Sequence, residues 1–226
     1  MLNGLFSKFD SLVFLDVETS GLSPKEDEII EFGALRVRQS EGETPTEESF
    51  SCLVRLSEGR TLSETITKIT GITSSMLALE GLEKGALCDI LTELFGTGQP
   101  LVVAYNAQFD LSFLYHFLHS FGKEKVMKNV KMLDALTVYK DRRDYPHKLE
   151  NAVASYVLET KNTHRAVDDA IATYALLCAM EEDQGDIDRY VNLFGYNPKF
   201  GVSGAKISTV KYVPQPYTRT KKAYEL

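Results

Sequence analysis

Cysteine, long apolar runs and positive charge are all scarce in this chain of 226 residues. Its three cysteines, Cys52, Cys88 and Cys178, stand far apart with no C-x-x-C pair, which argues against a disulfide framework and against a zinc site. Each lies in an apolar context suited to a buried, reduced thiol. No stretch approaches about 18 consecutive apolar residues, and Met1 to Asp10 carries Lys8 and Asp10 where a secretory leader needs a continuous apolar run. The expectation is a soluble, cytoplasmic protein that does not use a membrane. Lys and Arg number 25 against 32 Asp and Glu, a net charge of −7. Such a body suits transient substrate contact better than tight duplex binding, which is driven by release of counterions from phosphates. Internal repeats and low-complexity blocks are also absent.

The charge is unevenly placed. Residues 199–226 hold Lys199, Lys206, Lys211, Arg219, Lys221 and Lys222 against Glu225, so this end carries +5 and the remainder −12. With 43% hydrophobic residues, the length suffices for one well-buried α/β domain plus an appendage. Residues 1–183 read as the domain. Residues 184–226, rich in Gly, Asn, Pro, Lys and Tyr, read as a basic C-terminal appendage in which 207–213 has strand character. The appendage tyrosines Tyr212, Tyr217 and Tyr224 suit stacking with single-stranded nucleic acid; a flexible solubilising end is the plainer reading.

Leu12 to Glu18 is apolar on both faces until its acids appear, the mark of a central buried strand. Further strands are expected over 28–38 and 50–56, forming an antiparallel meander with the first. Ser63 is a candidate N-cap, followed by a break at Ile69-Thr70-Gly71-Ile72-Thr73 and a helix over 83–95. Then come a strand over 101–105, a helix over 109–121, a strand over 130–135 and a helix over 166–180. A meander followed by β-α-β-α predicts a mixed five-stranded sheet, an antiparallel meander then parallel strands, flanked by helices.

Acids fall where such a core would place leucine. Asp16 and Glu18, two apart on a strand, project to one side. Asp110 shares a helical stripe with Phe113, Leu114, Phe117 and Phe121; the plainer reading is a first-turn acid favoured by the helix dipole. Asp168 and Asp169 are adjacent, and periodicity does not choose between them. Four converging carboxylates repel, at about 3 kcal/mol for a pair about 5 Å apart at an effective dielectric near 20. Two divalent ions remove that conflict, and hard cations such as Mg²⁺ take carboxylate oxygens shared with substrate phosphates. His164, alone a solvated or capping histidine, can then accept the proton of an attacking water.

Together these segments resemble the DEDDh branch of the DEDD exonucleases, the DnaQ-like family that includes the proofreading epsilon subunit of bacterial DNA polymerase III. The resemblance rests on Phe14-Leu15-Asp16-Val17-Glu18-Thr19-Ser20-Gly21-Leu22, on Asn106-Ala107-Gln108-Phe109-Asp110, and on His164 followed five residues later by Asp169. It spans roughly residues 10–180 and includes Thr70-Gly71-Ile72-Thr73. It implies a ribonuclease-H-like fold and two Mg²⁺ or Mn²⁺ ions held by Asp16, Glu18, Asp110 and Asp169, with His164 as base. It selects Asp169 over Asp168. It also implies that Thr19, Ser20 and Leu22 lie against the terminal nucleotide and that Asn106 and Phe109 support Asp110. Tyr105, where many relatives have His, and Ser20, where Thr is frequent, are departures that bear on nucleobase or sugar preference.

The activity expected is 3′→5′ removal of nucleoside 5′-monophosphates from single-stranded or frayed DNA, in proofreading or repair, with a DNA polymerase or another replication or repair protein as a possible partner. An RNA 3′-end-trimming enzyme uses the same residues. A non-catalytic polymerase-binding adaptor ranks lower because no ligand position is lost.

Overall fold

The computed structural model describes residues 2–39, 44–128, 130–159, 165–217 and 221–226. A five-stranded sheet in the order β3-β2-β1-β4-β5 forms its centre. Strand β1 (Ser11–Thr19) pairs antiparallel with β2 (Ile29–Arg38), and β2 with β3 (Thr46–Leu53). On its other side β1 runs parallel to β4 (Pro100–Ala104), which runs parallel to β5 (Lys131–Asp134). The expected meander and parallel half are both present.

The helices are α1 (Asn3–Phe6), α2 (Glu64–Thr70), α3 (Ser74–Glu80), α4 (Lys84–Gly96), α5 (Ala107–Ser120), α6 (Ala135–Lys140), α7 (Leu149–Ser155) and α8 (Ala166–Gln184). Strand alternation divides β1 between two cores. Leu12 and Phe14 pack towards Leu176 and Leu177 of α8, while Val13, Leu15 and Val17 pack towards Leu111 and Leu114 of α5 and Leu91 of α4. Ser63 caps α2 by accepting from Ile66 N–H, and Gly71, at φ 72°, closes that helix in the left-handed conformation that glycine adopts without a Cβ penalty.

Three elements depart from the sequence reading by several residues, among them α8, which continues to Gln184 past the expected end at 180. Strand β3 starts at Thr46, not near Phe50, and ends at Leu53. It is an edge strand whose first residues are exposed, so pairing with β2 does not require apolar alternation there. Arg36 of β2 secures that edge, binding Glu48 of β3 and Glu93 of α4, the latter at 2.6 Å. In the C-terminal segment, the strand is β7 (Lys211–Pro214), paired parallel with β6 (Leu193–Tyr196).

Residues of that segment contribute to both cores. Phe194 and Val210 join the α5 side, and Leu193, Val213 and Ala223 the α8 side. Buried Gln215 donates to the Thr137 carbonyl at 2.8 Å and to Asp141 at 2.7 Å. Cys88 is buried, whereas Cys52 and Cys178 are only half-buried; all three are free thiols.

The approach of α8 to the sheet depends on Gly33, which pairs with Asp16 in β1. A Cβ at Gly33 would lie 2.1 Å from Val167 N and 2.2 Å from the Ala166 carbonyl carbon. Gly33→Ala is therefore expected to destabilise the fold by about 3 kcal/mol through overpacking. Urea denaturation checks this, and an unchanged midpoint would mean that the first turn of α8 is not seated on β2.

Candidate active site

Strand β1 carries Asp16 and Glu18 to its C-terminal end on the α8 side. The first turn of α8 brings Asp169, 8% exposed, to the same place. One carboxylate oxygen from each of Asp16, Glu18 and Asp169 lies within 4.8 Å of the others, close enough to share a cation. Asp110, 2% exposed, arrives from the opposite face on α5, and its Oδ1 accepts from Val17 N–H at 3.1 Å. Asp110 thus grips the strand between Asp16 and Glu18. Asp168 is the less buried of the adjacent pair. His164 lies outside the described residues.

Two buried acids that the motif reading passed over hold this arrangement. Glu31 of β2, fully buried and opposite Glu18, accepts from Arg165 Nε at 2.7 Å and from Ala166 N–H at 3.1 Å. It satisfies an orphan donor at the start of α8, which sets where Asp169 stands. Asp134, at the end of β5, accepts from Asn106 N–H (3.0 Å), Ala107 N–H (3.2 Å) and Leu136 N–H (3.2 Å), and from the Thr137 hydroxyl (2.6 Å). It therefore anchors α5, and with it Asp110. Their sequence signal was an acid inside an apolar run: Ile29-Ile30-Glu31-Phe32 and Met132-Leu133-Asp134-Ala135.

Known proteins place the chain in a family. The exonuclease family RNase_T matches residues 13–177. The chain belongs to that family. PolC-type DNA polymerase III of Clostridium perfringens is 34% identical over 183 residues, covering 78% of this chain and 12% of the relative. That of Bacillus subtilis is 31% identical over 182 residues, again 78% and 12%. The chain thus spans about an eighth of the length of these relatives. Exonuclease I of E. coli, solved as a single-stranded DNA complex, superposes with a TM-score of 0.71 at 22% identity, covering 81% of this chain and 43% of that one; this likeness speaks to fold.

Within this exonuclease domain, the turn after β1 is tightly tied. Thr19 Oγ1 donates to the Gly21 carbonyl at 2.6 Å, Ser20 N–H donates to the Glu28 carbonyl at 2.9 Å, and Glu28 N–H donates back to Ser20 Oγ at 2.9 Å. In the same turn Leu22 is 83% exposed, an apolar side chain held in water. Asn106, left-handed at φ 68°, leads into α5, and half-buried Phe109 packs on Phe113 at 4.9 Å between ring centres. Among the described residues no helix is long and apolar enough to cross a membrane.

The carboxyls show the strain of their gathering. Burial first, then Asp110, Asp169, Glu18 and Glu31, push Asp16 well above the usual range. Burial raises Asp110 likewise, against the pull of Val17 N–H, with Asp134 and Glu18 adding to the rise. Burial, then Asp169 and Glu31, push Glu18 up to about 7. Oxygen donors that resist ionising until a counter-charge arrives suit a hard divalent cation.

A carboxyl raised in the folded state binds a proton that the unfolded chain has released, so its contribution to stability is lost as pH rises from about 4.5 towards 7. Glu18→Gln is thus expected to stabilise metal-free protein at pH about 7.5 by roughly 2 kcal/mol, after allowance for partial exposure, and far less near pH 5. Thermal denaturation of both proteins in chelator tests this; a gain that shrinks with rising pH would overturn it.

Proposed function

We propose that the protein is a metal-dependent 3′→5′ exonuclease that releases nucleoside 5′-monophosphates from single-stranded or frayed DNA ends in proofreading or repair. The observation that carries this reading is the convergence of Asp16, Glu18 and Asp169 at the end of β1, with Asp110 closing the site from α5. These four carboxylates would hold two divalent ions, Mg²⁺ or Mn²⁺. Such ions supply a water made nucleophilic near neutral pH and a counter-charge for the departing oxygen.

The remaining steps fall to the chain itself. Glu31 and Asp134 keep α8 and α5 seated so that the four acids stay convergent under their mutual repulsion. Leu22 offers an apolar face to the terminal base, and the backbone around Thr19 and Ser20 borders the terminal sugar. Asn106 and Phe109 support Asp110 at the start of its helix. His164, five residues ahead of Asp169, accepts the proton of the attacking water. The polymerase III relatives favour DNA over RNA as the substrate and a DNA polymerase as the partner. The cytoplasm is the setting this reading expects.

Asp16→Ala, Glu18→Ala, Asp110→Ala and Asp169→Ala are each expected to lower turnover at least about a thousandfold, while Asp168→Ala stays within about threefold of wild type. The measurement is release of 5′-monophosphates from 3′ ends of matched DNA and RNA oligonucleotides, with Mg²⁺ and with chelator. Wild-type-like turnover by any of the four variants would end the assignment. Equal or faster attack on RNA would retain the chemistry and move the protein to RNA turnover, because discrimination then rests on the 2′-hydroxyl.

A further inference from the structure

Three aromatic rings stand together on the surface where a core has no use for them. Tyr145 is 73% exposed and Tyr217 58% exposed. His147 lies parallel to Tyr217, at 6.4 Å between ring centres and 5° between planes. Tyr145 stands edge-on to both, at 5.8 Å from His147 and 6.3 Å from Tyr217. The group is moored from below. His147 meets the buried ring of Tyr139 at 5.8 Å, Tyr105 donates its hydroxyl to the His147 carbonyl at 2.8 Å, and His147 Nε2 lies 3.1 Å from the Arg143 carbonyl. His147 is fixed in this way, and Tyr145 and Tyr217 rest on it and on each other through ring contacts alone, so the group presents clustered π-faces to solvent.

Their position relates them to the carboxylates. Tyr105 directly follows β4 and precedes Asn106, the residue that opens the helix of Asp110. Strands β4 and β1 are parallel, so Tyr105 marks the same end of the sheet as Asp16 and Glu18. The ring cluster is therefore one hydrogen bond away from the segment that leads into the catalytic helix. Cations border it. Lys148 is exposed and reaches Glu150 at 3.6 Å on the surface, Lys221 is exposed, and Arg143, which also reaches Asp183 at 3.5 Å, lines one cleft of about 470 Å³ with Tyr217 and Lys221. The same cleft contains Asp141, Asp144 and Glu225 beside Arg142, Arg143, Lys221 and Lys222, so the basic side chains offset local acids in a chain that is otherwise strongly acidic.

The C-terminal tyrosines are not equivalent. Tyr212 donates its hydroxyl to Gln108 at 2.6 Å and is half-buried, while Tyr224 donates to Asp186 at 2.7 Å under the guanidinium of Arg189. Tyr217 exposes its ring. We propose that Tyr145, His147 and Tyr217 form a stacking platform for bases of a single strand upstream of its 3′-terminal nucleotide, with Lys148 and Lys221 facing the phosphates. Stacking on tyrosine faces is tolerant of sequence, which suits an enzyme that must shorten any strand. This inference rests on the exonuclease reading above and names where that substrate lies.

The test is steady-state hydrolysis by the full chain of two substrates: a single strand of about ten nucleotides, and a chromogenic nitrophenyl ester of thymidine 5′-monophosphate, which has no upstream base to stack. The Tyr145→Ala/Tyr217→Ala double variant is expected to raise KM for the oligonucleotide about tenfold or more, to leave its kcat within about twofold, and to leave the ester unaffected. The Tyr145→Phe/Tyr217→Phe variant, which keeps the faces and loses the hydroxyls, is expected to retain wild-type KM. An unchanged KM in the alanine variant overturns the platform and leaves the rings to another occupant, such as a protein partner. Loss of ester hydrolysis in the alanine variant overturns it too, because the rings would then act on the catalytic centre. Failure of the wild type to hydrolyse either substrate with Mg²⁺ or Mn²⁺ present rejects the exonuclease reading instead.

Discussion

The mutual repulsion of desolvated carboxylates at the end of β1 governs the rest of this molecule. Each pair about 5 Å apart carries on the order of 3 kcal/mol of unfavourable energy at an intermediate dielectric, comparable to a sizeable fraction of the net stability of a domain. Left to itself the cluster would relax by holding protons, as the raised Asp16 and Glu18 do, and by opening into water. The sheet denies it that route: β1 is flanked by β2 and β4, and α5 and α8 press on its two faces. The local cost is borne by two apolar cores that fill with Phe14, Leu35 and Leu177 on one side and Leu15, Phe32 and Leu114 on the other.

Within that frame, further acids act as fasteners. Glu31 and Asp134 are both buried, and each gives one oxygen to backbone N–H groups at a helix start and the other to a side chain, Arg165 for Glu31 and the Thr137 hydroxyl for Asp134. A carboxylate there satisfies orphan donors and meets the positive end of the helix dipole, so its charge is balanced locally. The price is added repulsion on the neighbours: Glu31 contributes to the raised Asp16 and Glu18, and Asp134 to the raised Asp110. The acids that position the cluster thus also sharpen its demand for a counter-charge.

Much of this was legible in the order of residues. A strand apolar on both faces announces its own burial, so Asp16 and Glu18 stood out in β1, and Asp110 stood out on the apolar stripe of α5. Asp168 and Asp169 were not separable by periodicity, because adjacent helical residues differ by about 100° and both border the Ala-rich face. What separates them is the seating of α8 against Gly33, a contact between residues over 130 positions apart that no local pattern encodes. Strand β3 was misjudged at its start for a related reason: its Thr, Glu and Ser side chains face water, and its backbone pairing with β2 leaves no trace in hydropathy. Glu31 and Asp134 carried the same signal as Asp16 but sat in no motif, so their roles appeared only with their partners.

The C-terminal segment shows how composition and connectivity can diverge. Its Gly, Pro, Asn and Lys content separates residues 184–226 from the body, and its apolar residues, Leu193, Phe194, Val210 and Val213, are too dispersed to look like a core. A hydrogen-bonded path nevertheless joins it to the candidate site. Gly195 N–H donates to Thr137 Oγ1 at 2.8 Å, the Thr137 hydroxyl donates to Asp134 at 2.6 Å, and Asp134 receives the N–H groups of Asn106 and Ala107 at the head of α5. Thr137 is fully buried, so neither of its bonds is readily exchanged for one to water. The acid that closes the site, Asp110, sits one turn along that helix. A segment set apart by its composition is in this way part of the scaffold that fixes where the fourth carboxylate stands.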